Sequence, residues 1–156
     1  MEKEKLKYEF LNVISKVKKL LSSNKFEIDI SLSEYVLLHT IYEYDNLDEN
    51  GHYTIDASVL AKALSMSMPA LSKECKKLAK AGLIDKKSKL TNLKKKTLIL
   101  TDEGLEKLKA NEEYAMFVPN EIIANIGEED TRTLVKLLNK VSNVIFSLRA
   151  KGDGNL

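Results

Sequence analysis

A mainly α chain with one small β-hairpin and long helices at both ends is the fold class this sequence predicts. Three observations predict it. Two amphipathic segments, residues 57–64 and 67–81, are joined by a tight polar turn, Ser65-Met66-Ser67. Two β-prone runs, Leu83-Ile84-Asp85-Lys86-Lys87 and Thr97-Leu98-Ile99-Leu100, flank a polar tip, as the strands of an antiparallel hairpin do. Apolar residues recur at helical spacing over long stretches near both termini. Helix, turn, helix and hairpin in that order make an α+β winged helix-turn-helix.

Each element has a local reason. Across residues 4–22, Leu6, Phe10, Val13, Ile14, Val17, Leu20 and Leu21 form one apolar stripe with a seven-residue recurrence. Ser31 and Glu34 are spaced as a capping box, in which each satisfies the other's free amide. The helix they open, about 33–44, is apolar on most sides (Tyr35, Val36, Leu37, Leu38, Ile41, Tyr42) and is expected at the centre of the core. A polar loop from Asp45 to Gly51 leads to a short strand, His52 to Ile55. Asp56 is the expected N-cap of the next helix, with Val59, Leu60 and Leu64 inward.

Ser67 caps the second helix of the pair, and Pro69 sits in its first turn, where a missing N–H is harmless. Gly82 supplies the left-handed residue that ends it. Leu71, Cys75 and Leu78 fall at i, i+4 and i+7 and form its buried stripe. After the hairpin, Thr101 caps a helix carrying Leu105 and Leu108 that is expected to stop before Pro119. Beyond Gly127, Glu128-Glu129-Asp130 opens the last helix, whose stripe is Leu134, Leu137, Leu138, Val141, Val144, Ile145 and Leu148. The length fits one domain, 1–156, with a core at 33–113 and terminal dimerisation helices at 1–30 and 116–150.

Charge is the strongest functional signal. Ten lysines and two acidic residues lie between Lys73 and Lys96, in a chain whose formal charge is +2, so the remainder is net negative. A basic face confined to a small helical domain is the electrostatic footprint of a nucleic-acid binder. The expected groove-facing set on the second helix is Ser67, Pro69, Ala70, Ser72, Lys73, Lys76, Lys77 and Lys80. Lysine can donate to guanine, serine to several acceptors, and Pro69 or Ala70 can touch a thymine methyl. The hairpin adds Lys86, Lys87, Lys89, Asn92, Lys94, Lys95 and Lys96. The alternative is a solvated lysine face, which the near absence of counter-charges disfavours. The expected partner is double-stranded DNA. No arginine lies in the cluster; Arg132 and Arg149 are elsewhere. Lysine lacks arginine's planar fork, so firm phosphate anchoring and modest base reading are expected.

Other classes find little support. No apolar run reaches the ~18–20 residues of a membrane span, and Met1 to Lys5 is charged, unlike a signal peptide. A lone cysteine fits a reducing cytoplasm. Neither a Gly-rich phosphate loop nor a nucleophile elbow is present, so no enzyme and no cofactor are expected. His39 and His52 are the only histidines, without metal-ligand spacing. Cys75 reads as a small hydrophobe on the inward stripe; a redox switch would need its sulfur accessible.

Residues 54–104 resemble the winged-helix core of the MarR family of bacterial transcription regulators. The matching residues are Leu60-Ala61-Lys62-Ala63-Leu64, Leu71-Ser72, Leu78-Ala79-Lys80-Ala81-Gly82-Leu83-Ile84 and Leu98-Ile99-Leu100-Thr101-Asp102-Glu103-Gly104. The outer helices match by pattern. The resemblance implies a homodimer built through the terminal helices, with the second helix of the pair in the major groove of a pseudo-palindromic operator. It also implies a role as repressor, released when an effector changes the spacing of the two reading heads. Tyr8, His39, Tyr42 and Phe117 are the candidate residues lining such an effector site. One departure stands out: the wing positions that relatives give to an Asp and an Arg fall on Asn92 and Lys94. That departure supports a rival reading, an architectural or protein-interaction module with little sequence preference.

Overall fold

A computed structural model describes residues 1–22, 29–88 and 96–152. In order, the elements are α1 (Glu2–Ser22), α2 (Leu32–Glu43), β1 (Thr54–Asp56), α3 (Ala57–Ala63), α4 (Met68–Lys80), β2 (Ile84–Ser88), β3 (Lys96–Leu100), α5 (Asp102–Ile126) and α6 (Glu128–Gly152). The capping box forms as its spacing requires: the Glu34 amide donates to Ser31 Oγ at 3.1 Å and the Ser31 amide donates to Glu34 Oε2 at 3.0 Å. From that start α2 runs through the middle of the core, burying Leu37, Leu38 and Ile41 against Ile55, Leu60, Leu71, Leu78, Leu98 and Leu100. These side chains come from β1, α3, α4 and β3, so α2 is the post around which the helix pair and its sheet are assembled.

The sheet has three strands rather than the two of a simple hairpin, in the order β1-β3-β2. β1 pairs antiparallel with β3 (Ile55 opposite Leu98), and β2 pairs with its other edge (Lys86 opposite Leu98). The expected strand at His52 to Ile55 is thus displaced slightly along the chain and recruited into the wing's sheet, which pairs both edges of β3. Asp56 stands at the N-cap of α3 but its side chain accepts no cap hydrogen bond. Val59, expected inward, is exposed, because α3 turns only Ala57, Leu60 and Ala61 toward the core.

The expectation that the fifth helix stops before Pro119 is wrong. α5 passes through Pro119 and ends at Gly127, whose φ of 90° lies where a side chain would be strained. A proline inside a helix forfeits one backbone hydrogen bond and crowds the carbonyl four residues back. The helix nevertheless continues for seven residues beyond Pro119, while its first half packs against α2 with Leu108, Asn111 and Ala115 buried. The outer helices do carry their expected stripes, but no α1 or α6 residue is buried.

The start of α5 is held by a close approach. Thr101 Oγ1 accepts from the Gly104 amide at 3.0 Å and donates to the Gly82 carbonyl at 2.7 Å, while the Thr101 amide donates to the Leu83 carbonyl at 3.2 Å. A Cβ at position 104 would lie 2.0 Å from the Leu83 carbonyl oxygen, so only glycine lets α5 sit against the end of α4. Gly104→Ala is therefore expected to lower stability by roughly 1–3 kcal/mol, despite alanine's better helix propensity. A melting temperature at or above wild type at equal protein concentration would show that the approach is looser than this.

Candidate nucleic-acid interface

The turn between α3 and α4 is closed by backbone hydrogen bonds. The Met66 amide donates to the Ala61 carbonyl at 2.9 Å and the Ser65 amide to the Lys62 carbonyl at 3.2 Å, with Ser65 at a φ of 51°. This is the Schellman arrangement, here with serine where glycine is usual. The same pattern ends α4: the Leu83 amide reaches the Leu78 carbonyl at 3.0 Å and Gly82 takes a φ of 78°. Between these stops Ser67 caps α4, accepting from the Ala70 amide at 3.2 Å. Leu71, Cys75 and Leu78 are buried as their spacing requires. Ser67, Pro69, Ala70, Lys73, Lys76, Lys77 and Lys80 are exposed, and Ser72 is half-buried. The outward side of α4 is one short polar and cationic face.

Lys77 differs from its neighbours. Its Nζ lies 2.9 Å from Glu34 Oε1, a carboxylate only 10% exposed at the start of α2. Burial alone would raise the Glu34 pKa, but the hydrogen bond from Lys77 and those within the capping box outweigh it and hold the group below the usual glutamate range. The same contact raises the pKa of Lys77. Among the described residues, the ion pairs include Lys77 but not Lys73, Lys76 or Lys80. Glu34 was legible in the sequence as a capping residue; nothing in the local pattern pointed to its second partner.

The wing contributes Lys86, half-buried, and Lys96, exposed. Both line a small cavity of about 40 Å³ together with Met68, Ser72 and Cys75, so the base of the wing and the outward edge of α4 adjoin. Lys89, Asn92, Lys94 and Lys95 lie outside the described residues, as does the side chain of Lys87. Cys75 is buried, and burial raises its pKa, opposed by the charge of Lys86 and reinforced by Glu74.

The four candidate effector residues are only partly brought together. His39 and Tyr42 are neighbours on α2, with ring centroids 6.3 Å apart, in an aromatic run that Tyr35 extends at one end and Tyr53 at the other. Tyr8 on α1 and Phe117 on α5 are exposed. Two larger open clefts lie elsewhere. One, of about 760 Å³, separates the α3–α4 turn from α6 and is bordered by Ser65, Met66, Leu138, Ile145 and Arg149. The other, of about 780 Å³, sits at the α5–α6 elbow beside Ile123, Arg132 and Val135. None of the four candidates lines either. Among the described residues no helix is long and apolar enough to cross a membrane, and no cluster of three or more His, Cys, Asp or Glu is placed to hold a metal ion.

This arrangement of a three-stranded wing, a capped helix pair and two long outer helices recurs in solved structures. AbsC, a MarR family transcriptional regulator from Streptomyces coelicolor, superposes with a TM-score of 0.70 at 20% identity, covering 93% of this chain and 95% of that one. The chain has the MarR-family fold. An organohalide-sensing transcriptional regulator, RdhR, in its 2,4-dichlorophenol-bound form gives a TM-score of 0.72 at 19% identity over 92% of this chain and 83% of its own. MepR from S. aureus, in complex with DNA, gives 0.65 at 19% identity over 88% and 96%. By sequence, the chain is 26% identical over 128 residues to YdgJ of Bacillus subtilis (strain 168), an uncharacterized HTH-type transcriptional regulator, spanning 81% of this chain and 73% of that protein. No family model matches the chain. In terms of that fold, α3 and α4 are the helix-turn-helix, β2 and β3 the wing, and α1, α5 and α6 the long helices that flank them.

The burial of Cys75 has a direct chemical consequence. Its native thiol is expected to react with an aromatic disulfide reagent on the order of a hundredfold more slowly than in the denatured chain. Fast reaction of the folded protein, followed by thiolate release, would place the sulfur at the surface and reopen a redox role.

Proposed function

We propose that this chain is a MarR-type transcription regulator that binds double-stranded DNA in the cytoplasm as a homodimer, with α4 in the major groove and the wing on the flanking backbone. The observation that carries the reading is the exposed face of α4, where Ser67, Pro69, Ala70, Lys73, Lys76 and Lys80 surround a fully buried apolar stripe. Its width suits a groove, its donors suit phosphates and base edges, and its charge is concentrated there in a chain otherwise net negative. Lys89, Asn92, Lys94, Lys95 and Lys96 are proposed to extend the contact along the wing. MepR and an E. coli MarR variant, both solved with DNA, support the assignment by likeness of fold.

The proposed dimerisation draws its support from what the single chain leaves uncovered. Along α1, the stripe from Leu6 to Leu21 is 40–68% exposed, and most of the α6 stripe from Leu134 to Leu148 is 42–62% exposed. A contiguous apolar face of this length on a monomer marks an interaction surface. The proposed organisation is one domain, 1–156, with a reading core at 33–113 and dimerisation helices at 1–30 and 116–150. Since α5 runs unbroken across that boundary, a change in spacing between the paired ends would reach the heads through a single helix. Repression by occlusion, relieved by a small aromatic effector near Tyr8, His39, Tyr42 and Phe117, completes the proposal. RdhR bound to 2,4-dichlorophenol and NadR bound to 4-hydroxyphenylacetate support an effector of that kind. A ligand acts only to the extent that it prefers the DNA-incompetent spacing. The rival, a low-specificity architectural binder, draws on the all-lysine cluster and on the ion pair that occupies Lys77.

Light scattering at micromolar concentration is expected to give the mass of a dimer, and Ile14→Glu to shift it toward monomer. A monomeric wild type would overturn the assembly. For duplex binding, neutralisation of ~4–5 phosphates by each protomer predicts a log–log salt slope of about −8. Lys73→Ala is expected to weaken discrimination between a selected operator and random duplex; a wild-type ratio near one would favour the rival.

A further inference from the structure

Resting on the proposed DNA-binding role, we infer that Glu34 is a positioning residue for the reading helix, and that Lys77 serves it as an internal strut rather than as a phosphate contact. The Glu34 carboxylate uses both oxygens: Oε2 accepts from the Ser31 amide at 3.0 Å, and Oε1 lies 2.9 Å from Lys77 Nζ. It sits nearly buried in the first turn of α2, where the positive end of the helix dipole favours an anion. Lys77 is in the last turn of α4, its side chain otherwise 68% exposed. The adjoining Asp29 is tied to α5 as well: its amide donates to the buried Asn111 Oδ1 at 3.2 Å, and its carboxylate is 3.3 Å from Lys107 Nζ. Residues 29–34 therefore join α2, α4 and α5 at one place.

The physical need for such a joint is orientation. Apolar burial of Leu71, Cys75 and Leu78 holds α4 to the core but has no preferred direction, whereas a charge-assisted hydrogen bond has one. The pair contributes little net stability, yet because the Glu34 carboxylate is nearly buried, any arrangement that leaves that carboxylate without its cation is penalised. If Lys77 swung out to a phosphate, Glu34 would remain buried and charged without its cation. One screened surface contact does not offset that loss. Lys77 therefore stays on Glu34, and the rotation of α4 about its axis is set before DNA arrives.

The test compares Glu34→Gln, Lys77→Met and Lys77→Arg with wild type on a random-sequence duplex, on a duplex enriched by selection against the wild-type protein, and without DNA. Gln keeps an acceptor for the Ser31 amide but releases Lys77. On random duplex, Lys77→Met should leave the salt slope unchanged, while Glu34→Gln should steepen it by about 0.9 for each freed lysine that meets a phosphate. Both should reduce preference for the selected duplex about tenfold, and Lys77→Arg should retain it. Without DNA, amide exchange along α4 should quicken in Glu34→Gln and Lys77→Met only. A slope flattened by about 0.9 per protomer in Lys77→Met would make Lys77 a phosphate contact and overturn the inference. So would unchanged α4 exchange in Glu34→Gln. If wild type shows no salt-dependent duplex binding, the DNA-binding role falls, and the exchange comparison still decides the strut.

Discussion

The exposed lysine face of α4 exists because the helix is anchored by three side chains on its opposite side. With Leu71, Cys75 and Leu78 buried one and two turns apart, the helix has no freedom to present any other surface. Every exposed lysine on α4 takes its direction from that stripe, and the stripe takes its position from α2, whose Leu37, Leu38 and Ile41 fill the space behind it. Loss of packing at this junction would blur the lysine face without touching a lysine. The constraint also accommodates a thiol in the middle of the stripe, where Cys75 is buried beside Leu71 and Leu78.

Around the anchored helix, the ends are closed by short-range devices that act together. Schellman turns at Ser65 and Gly82 stop α3 and α4 with their last carbonyls satisfied. Thr101 links the second of those stops to the first turn of α5, and Gly104 admits α5 at a distance no side chain would tolerate. The wing is thereby held between α4 and α5, with β1 completing its sheet. Lys86 and Lys96 rise beside Ser72 as a result of this closure, since each lies on a strand whose register is set by pairing to Leu98 or Ser88. Electrostatic convergence is a consequence of backbone closure here. It was not assembled residue by residue.

At the other end of the molecule the logic reverses. α1 and α6 are regular and amphipathic, and none of their residues is fully buried. α5 joins the two regimes, with its first half buried against α2 and its second half exposing Phe117, Ile122, Ile123 and Ile126. That division along a single helix joins the packed core to the exposed outer helices.

Much of this was legible from residues alone. Helix periodicity, the Ser31–Glu34 box, the caps at Ser67 and Thr101, and the buried stripe of α4 all express interactions within a few residues of one another, and they form as read. The winged helix-turn-helix and its lysine face were recoverable for that reason. Elsewhere the structure departs from the local reading. α5 runs on through Pro119; β1 belongs to the wing because β3 had an open edge; Val59 faces out because α3 turns Ala57, Leu60 and Ala61 to the core. The Glu34–Lys77 pair was invisible because two charges far apart in the chain carry no periodicity that names their partner. The sequence by itself determined which faces are apolar and which are basic, since those depend on spacing along one helix. Only the tertiary structure decided which of the basic residues is already engaged, because that depends on what packing brings within reach.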